Sequence, residues 1–132
     1  MTVEGPEDWE ALLAGVPAEV AEVARQARRV VRAAIPDAAE EVDASARLLG
    51  FTFAPGTYKG LVAGLALHDR YVNLMFSQGA ELADSLHAGS LLAGTGKKAR
   101  HVKLQSPADL LDPRLAELLA AAAQRGRDRM SG

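Results

Sequence analysis

The residue types best suited to chemistry are concentrated in one run, Gly94-Thr95-Gly96-Lys97-Lys98-Ala99-Arg100-His101-Val102-Lys103-Leu104. Glycines let a backbone approach a ligand closely and turn successive amides toward it. Gly94 and Gly96 would supply that hinge. Lys97, Lys98 and Arg100, with Lys103 further along, would neutralise a phosphate or carboxylate, and His101 would add a donor. The run is not a P-loop. Its glycine spacing is incomplete, and Lys98 stands where a magnesium-binding hydroxyl is required. The same residues also describe a tight turn before a strand with a basic exposed face.

Acid forms the second concentration, at Asp37, Glu40, Glu41 and Asp43. Hard cations need several oxygen ligands at one point. Glu40 and Glu41 diverge on any helix, so the set converges only around a bend. Glu19 and Glu22 would extend it if the first helix runs alongside. Two readings stand: a labile site for Fe(II) or another divalent ion, and surface caps with solubilising charge. Arg25, Arg28, Arg29 and Arg32 recur at three-and-four spacing. They form a stripe that grips phosphates or an acidic protein, or a solvated face paired with Glu22 and the Asp37–Glu41 acids. The histidines are His68, His87 and His101, with no H-E-x-x-H and no i,i+4 pair for zinc. Ser45, Ser77, Ser85 and Ser90 lack a nucleophile elbow or an evident base.

The elements that must position these residues follow from periodicity. Residues 1–15 are an acidic extension with Trp9, Leu12 and Leu13 as packing anchors. Val20, Val23, Ala24, Ala27, Val31 and Ala34 predict an amphipathic helix over Ala18–Ala34, opened by Pro17 and ended by Pro36. Asp37 and Glu40 have capping-box spacing and predict a short second helical turn. Residues 44–54 read as a first strand, Tyr58–Leu67 as the next, and Tyr71–Phe76 as a third after a His68-Asp69 turn. Gly79 and Gly89 bracket an irregular, partly helical connection. Ala99–Leu104 is the last strand. Leu110, Leu111, Leu115, Leu118, Leu119 and Ala122 form a second helical stripe, followed by a polar, flexible tail at 126–132. The expected architecture is α+β: one domain over residues 1–132, core about 18–125, with an antiparallel sheet covered on one face by the N- and C-terminal helices.

Composition narrows the function classes. The chain has 132 residues, 48% of them hydrophobic, so it can bury one core. A net charge of -2 creates no field that recruits nucleic acid or an anionic membrane. With no cysteine there is no disulfide, thiolate metal site or cysteine nucleophile. No basic segment followed by an apolar run opens the chain, and no apolar stretch reaches membrane-spanning length, so a cytoplasmic protein is expected.

Several segments then match a family pattern in order. They are Arg32-Ala33-Ala34-Ile35-Pro36-Asp37-Ala38-Ala39-Glu40-Glu41, Tyr58-Lys59-Gly60, His68 before Tyr71–Phe76, and Gly79-Ala80-Glu81-Leu82-Ala83-Asp84. Leu92-Ala93-Gly94-Thr95-Gly96-Lys97 and Arg100-His101-Val102-Lys103 complete the set. Through them the chain resembles the small bacterial domains of unknown function that include the YdhG-like intracellular iron chaperones. The resemblance implies a frataxin-like two-layer domain. It also implies Fe(II) held by acidic surface residues, here Glu19, Glu22, Asp37, Glu40, Glu41 and Asp43, and passed to iron–sulfur or haem assembly proteins. One departure stands out. Family members commonly carry a tryptophan-glycine-x-proline-like run after the glutamate pair, where this chain has Asp43-Ala44-Ser45-Ala46-Arg47-Leu48.

The expected mechanism is reversible binding rather than covalent turnover. Three versions follow: iron handling by the carboxylates, binding of a phosphate, carboxylate or acidic partner through Gly94–Lys103, and a homodimer without ligand.

Overall fold

The computed structural model describes residues 6–79 and 100–131. Helix α1 (Glu7–Leu13) follows Pro6 and carries Glu7, Asp8 and Glu10 in its first turn, where acid complements the helix dipole. Trp9 and Leu13, four residues apart, point together into the core, and Trp9 is fully buried. Helix α2 (Ala18–Ala34) has the span its periodicity predicts, and it buries Val20, Ala21, Val23, Ala24, Ala27 and Val31. It stops at Ile35 because the residue before a proline is disfavoured in the helical region. Arg25 of α2 pairs with Glu10 of α1 at 3.2 Å and ties the two helices.

The next segment corrects the sequence reading. No helical turn forms over Asp37–Glu40; Ala39–Asp43 is strand β1. Adjacent glutamates are poor strand signals, but a sheet edge accommodates charge. The tight turn at 44–47, with Arg47 at φ 52°, leads into β2 (Leu48–Thr52). What was expected as the first strand is therefore the shortened second one. Strand β3 (Leu61–Leu67) starts three residues later than expected, because residues 54–60 make a turn-rich excursion. Strands β4 (Val72–Phe76) and β5 (Arg100–Leu104) agree with expectation to one residue. The sheet is fully antiparallel, in the order β1-β2-β3-β4-β5.

Register builds the core. Val42, Leu49, Leu65, Leu74 and Val102 form one row across all five strands. Phe51, Ala63 and Phe76 lie in the next row on the same face. Both long helices pack on this face.

After β5, a 3₁₀ turn spans Pro107–Leu111, and the Asp109 carboxylate accepts from the Gln105 and Ser106 amides. Helix α3 (Pro113–Ser131) follows and buries Leu115, Leu118, Leu119, Ala122, Ala123 and Gly126. Leu111 is 82% exposed and lies outside the stripe assigned to it, because the 3₁₀ turn breaks the helical period before α3 begins. Of the tail expected at 126–132, the residues through Ser131 belong to α3. Its last turns are held by Arg127 on Asp37 and by Arg129, which donates to the Lys59 and Leu61 carbonyls. Gly126 allows the close contact between layers. A Cβ there would meet Val62 at 2.9 Å and Phe53 at 3.0 Å.

Candidate functional site

Side chains alternate across a strand, so whatever points away from the helices shares the second face of the sheet. Two cross-strand rows define it. One runs Asp43–Leu48–Ala66–Asn73–Lys103; the other runs Glu41–Gly50–Gly64–Met75–His101. Both begin with a carboxylate on β1 and end with a basic residue on β5.

At the β5 side, a hairpin concentrates polar and aromatic groups. The His68 amide donates to the Tyr71 carbonyl at 3.0 Å and closes the β3–β4 turn. The two rings stack at 4.5 Å between centroids, 17° from parallel. Lys103 places Nζ 4.4 Å from the Tyr71 centroid, a cation–π contact. Asn73, the register partner of Lys103, sets its amide nitrogen 3.3 Å from His68 Nε2. Its Oδ1 is buried and has no hydrogen-bond partner among the described residues. His101 lies opposite Met75 on the same face.

The expected basic set is split by this geometry. His101 and Lys103 share the open face, but Arg100 has the parity of Val102 and Leu104 and points to the helix side. Gly94, Gly96, Lys97 and Lys98 lie outside the described residues, as do His87 and the whole connection 80–99.

The six expected metal ligands do not come together. Glu40 faces the helices. It accepts two hydrogen bonds from Arg28, at 2.6 and 2.8 Å, and another from Arg32. Burial raises its pKa, but the two guanidiniums outweigh burial and hold the carboxyl below its ordinary value. Asp37 binds Arg127 at 2.9 Å, which holds its pKa down. Asp43 accepts from the Ser45 hydroxyl at 2.7 Å and from the Ala46 amide, and these bonds lower its pKa. Glu41 accepts from the Gly56 amide at 2.9 Å, and Glu22 from Gln26 at 2.9 Å. Glu19 lines a cavity of about 240 Å³ beside Asp69, Arg70 and Tyr71. Among the described residues no three histidine, aspartate or glutamate side chains are grouped to hold a metal ion. The arginine stripe is engaged as a structural face: Arg25 reaches Glu10, while Arg28 and Arg32 reach Glu40.

A groove opens at the β1 side, beside the Asp43–Leu48 run that departs from the family pattern. It has a volume of about 530 Å³ and is lined by Glu41, Asp43, Leu48, Gly50, Tyr58 and Leu61, among others. A small apolar slot of about 60 Å³, lined by Gly64, Met75 and Ser77, adjoins it through Leu48, Tyr58 and Leu61. A further signal was Tyr58, an aromatic isolated after Pro55-Gly56.

No family model matches the sequence, and no curated protein matches it. Among solved structures, the crystal structure of YdhG, a DUF1801 family protein from Bacillus subtilis, superposes with a TM-score of 0.60. The match covers 89% of this chain and 88% of that one, at 13% identity. No helix among the described residues is long and apolar enough to cross a membrane. The likeness establishes a shared fold: a YdhG-like α+β domain with a five-stranded antiparallel sheet.

Proposed function

We propose that the domain acts by reversible binding at the open sheet face, and that its β4–β5 corner takes a phosphate or carboxylate group, on a small ligand or an acidic protein. The observation that carries this reading is the Lys103–Tyr71–His68 arrangement, with the Asn73 amide against His68. A cation stands over an aromatic ring, His68 and His101 lie near it, and the Asn73 amide nitrogen beside His68 adds an N–H donor. Such a corner gives an anion charge, donors and a partly desolvated setting. The test is inorganic phosphate followed by amide NMR. Shifts should centre on His68, Asn73, His101 and Lys103, weaken in high salt, and shrink in Lys103→Gln. Flat shifts to about 10 mM phosphate would remove the reading.

A second reading is a homodimer through the same face. Both rows carry acid at one end and base at the other, so two copies related by a twofold axis present opposite charges to each other. Sedimentation at rising concentration tests it; a monomer throughout excludes it.

Iron handling, with delivery to iron–sulfur or haem assembly and a frataxin-like relationship, has less support. The helix–meander–helix order suits it. However, Glu40 and Asp37 are neutralised by arginines, and Glu41 and Asp43, which share a groove, have no third carboxylate grouped with them among the described residues. An anaerobic Fe(II) titration with Glu40→Ala and Glu41→Ala together decides it, and unchanged affinity ends it.

A further inference from the structure

The groove at the β1 side plays no part in the anion reading, and its lining has the opposite character. Its floor is apolar and low. Gly50 and Gly64 are register partners, so two neighbouring positions at the centre of the sheet carry no side chain. Leu61 leans over the first and Leu48 over the second. A Cβ on Gly50 would lie 3.2 Å from Leu61 Cδ1, and one on Gly64 would lie 2.9 Å from Leu48 Cδ1. Met75 continues the floor into the adjoining slot.

One wall is anionic. Glu41 and Asp43 are two residues apart on β1, hence on one face and roughly 7 Å from each other along the strand. Each is hydrogen-bonded to neutral groups: Glu41 to the Gly56 amide, Asp43 to Ser45 and the Ala46 amide. Neither is ion-paired to a cation among the described residues, in contrast to Glu40 and Asp37. The third component is Tyr58, 60% exposed although aromatic. Its hydroxyl reaches the Ser77 carbonyl at a weak 3.5 Å, so the ring spans the slot without being fixed over it.

We propose that this groove binds a small organic cation, a primary ammonium on an aliphatic or aryl-alkyl body. The body would lie on Leu48, Leu61 and Met75 against the Tyr58 ring, and the ammonium would sit between Glu41 and Asp43. Each alternative class lacks something here. A divalent metal, which takes oxygen ligands, would use the carboxylate wall alone and leave the apolar floor and the Tyr58 ring without a role. An anion would face those carboxylates. A neutral apolar ligand would partly desolvate them with no compensating charge. The groove, about 530 Å³, falls within the usual range for small-ligand sites. A π face beside carboxylates is the chemistry that recognises ammonium groups. The site is separate from the anion corner, so each stands or falls alone.

The test is a titration of the full chain with hexylammonium and phenethylammonium, followed by amide NMR, with 1-hexanol and hexanoate as matched controls. Saturable shifts at Gly50, Thr57, Tyr58 and Gly64 are expected from the ammonium probes, with hexanol at least about tenfold weaker. Glu41→Gln and Asp43→Asn keep the local hydrogen-bond acceptors and should each lower affinity several-fold. Hexanol binding as tightly as hexylammonium would overturn the charge assignment, as would an unchanged affinity in the double variant. No saturable shift in the groove up to about 20 mM probe would overturn the site itself.

Discussion

Asp43 and Lys103 occupy the two ends of one cross-strand row on the open face, with Leu48, Ala66 and Asn73 between them. Four strand spacings separate them, roughly 19 Å. That is too far for a salt bridge and well beyond a Debye length in physiological salt. The face is therefore polarised rather than internally neutralised, and its two ends should respond to different ligands.

Charge reversal at each end tests this polarity. Lys103→Glu should abolish phosphate-induced amide shifts at the β4–β5 corner, while Asp43→Lys should leave them within about twofold of wild type. Equal loss in both variants, read by NMR titration, would mean that the face acts as a single field.

Glu40 should be a stability residue. Its side chain is 8% exposed and that of Arg28 is 12% exposed, so removing the carboxylate leaves a nearly buried guanidinium without its fork partner. Glu40→Ala should cost about 2–4 kcal/mol in denaturant unfolding. Glu40→Gln should cost less, since it keeps an acceptor oxygen.

The same pair sets a pH dependence. The Glu40 carboxyl is held below its ordinary value when folded, so the unfolded chain binds the proton more readily. The pair's contribution is present above the unfolded glutamate range, near about pH 4, and is lost as pH falls through the depressed folded value. Acid unfolding of Glu40→Gln should show a smaller stability loss across that window than wild type.

Gly126→Ala poses two opposing effects. Alanine gains about 1 kcal/mol of helix propensity. Against this, its Cβ would meet Val62 Cγ2 at 2.9 Å and Phe53 ring carbons at 3.0 and 3.1 Å. Val62 is β-branched and buried, so it cannot swing aside, and overpacking typically costs 1–3 kcal/mol. The expected net result is a destabilisation of about 1 kcal/mol by thermal or denaturant melt; a stabilised variant would show that α3 can move outward.

Trp9→Ala should cost about 3–5 kcal/mol. The indole is fully buried on α1, a seven-residue helix too short to persist without tertiary packing. Loss of α1 helicity with the rest of the domain folded is the accompanying signature, readable by amide exchange.

What the sequence determined by itself was the local order. The α2 boundaries, the β4 and β5 spans and the apolar core positions follow from periodicity and from Pro17 and Pro36, because helix and strand repeats are written in near neighbours. Three matters were decided only in the tertiary structure. Ala39–Asp43 became a strand because Leu48–Thr52 was there to pair with it, against the preference of its adjacent glutamates. Strand parity separated Arg100 from His101 and Lys103, and α2 arginines claimed Glu40, so residues adjacent in the chain came to serve different layers. The groove exists because register set Gly50 beside Gly64 and brought Tyr58 from the 54–60 turn next to Glu41 and Asp43. Pairing energies act between residues far apart in sequence, and no short stretch of chain records which strand will become its neighbour.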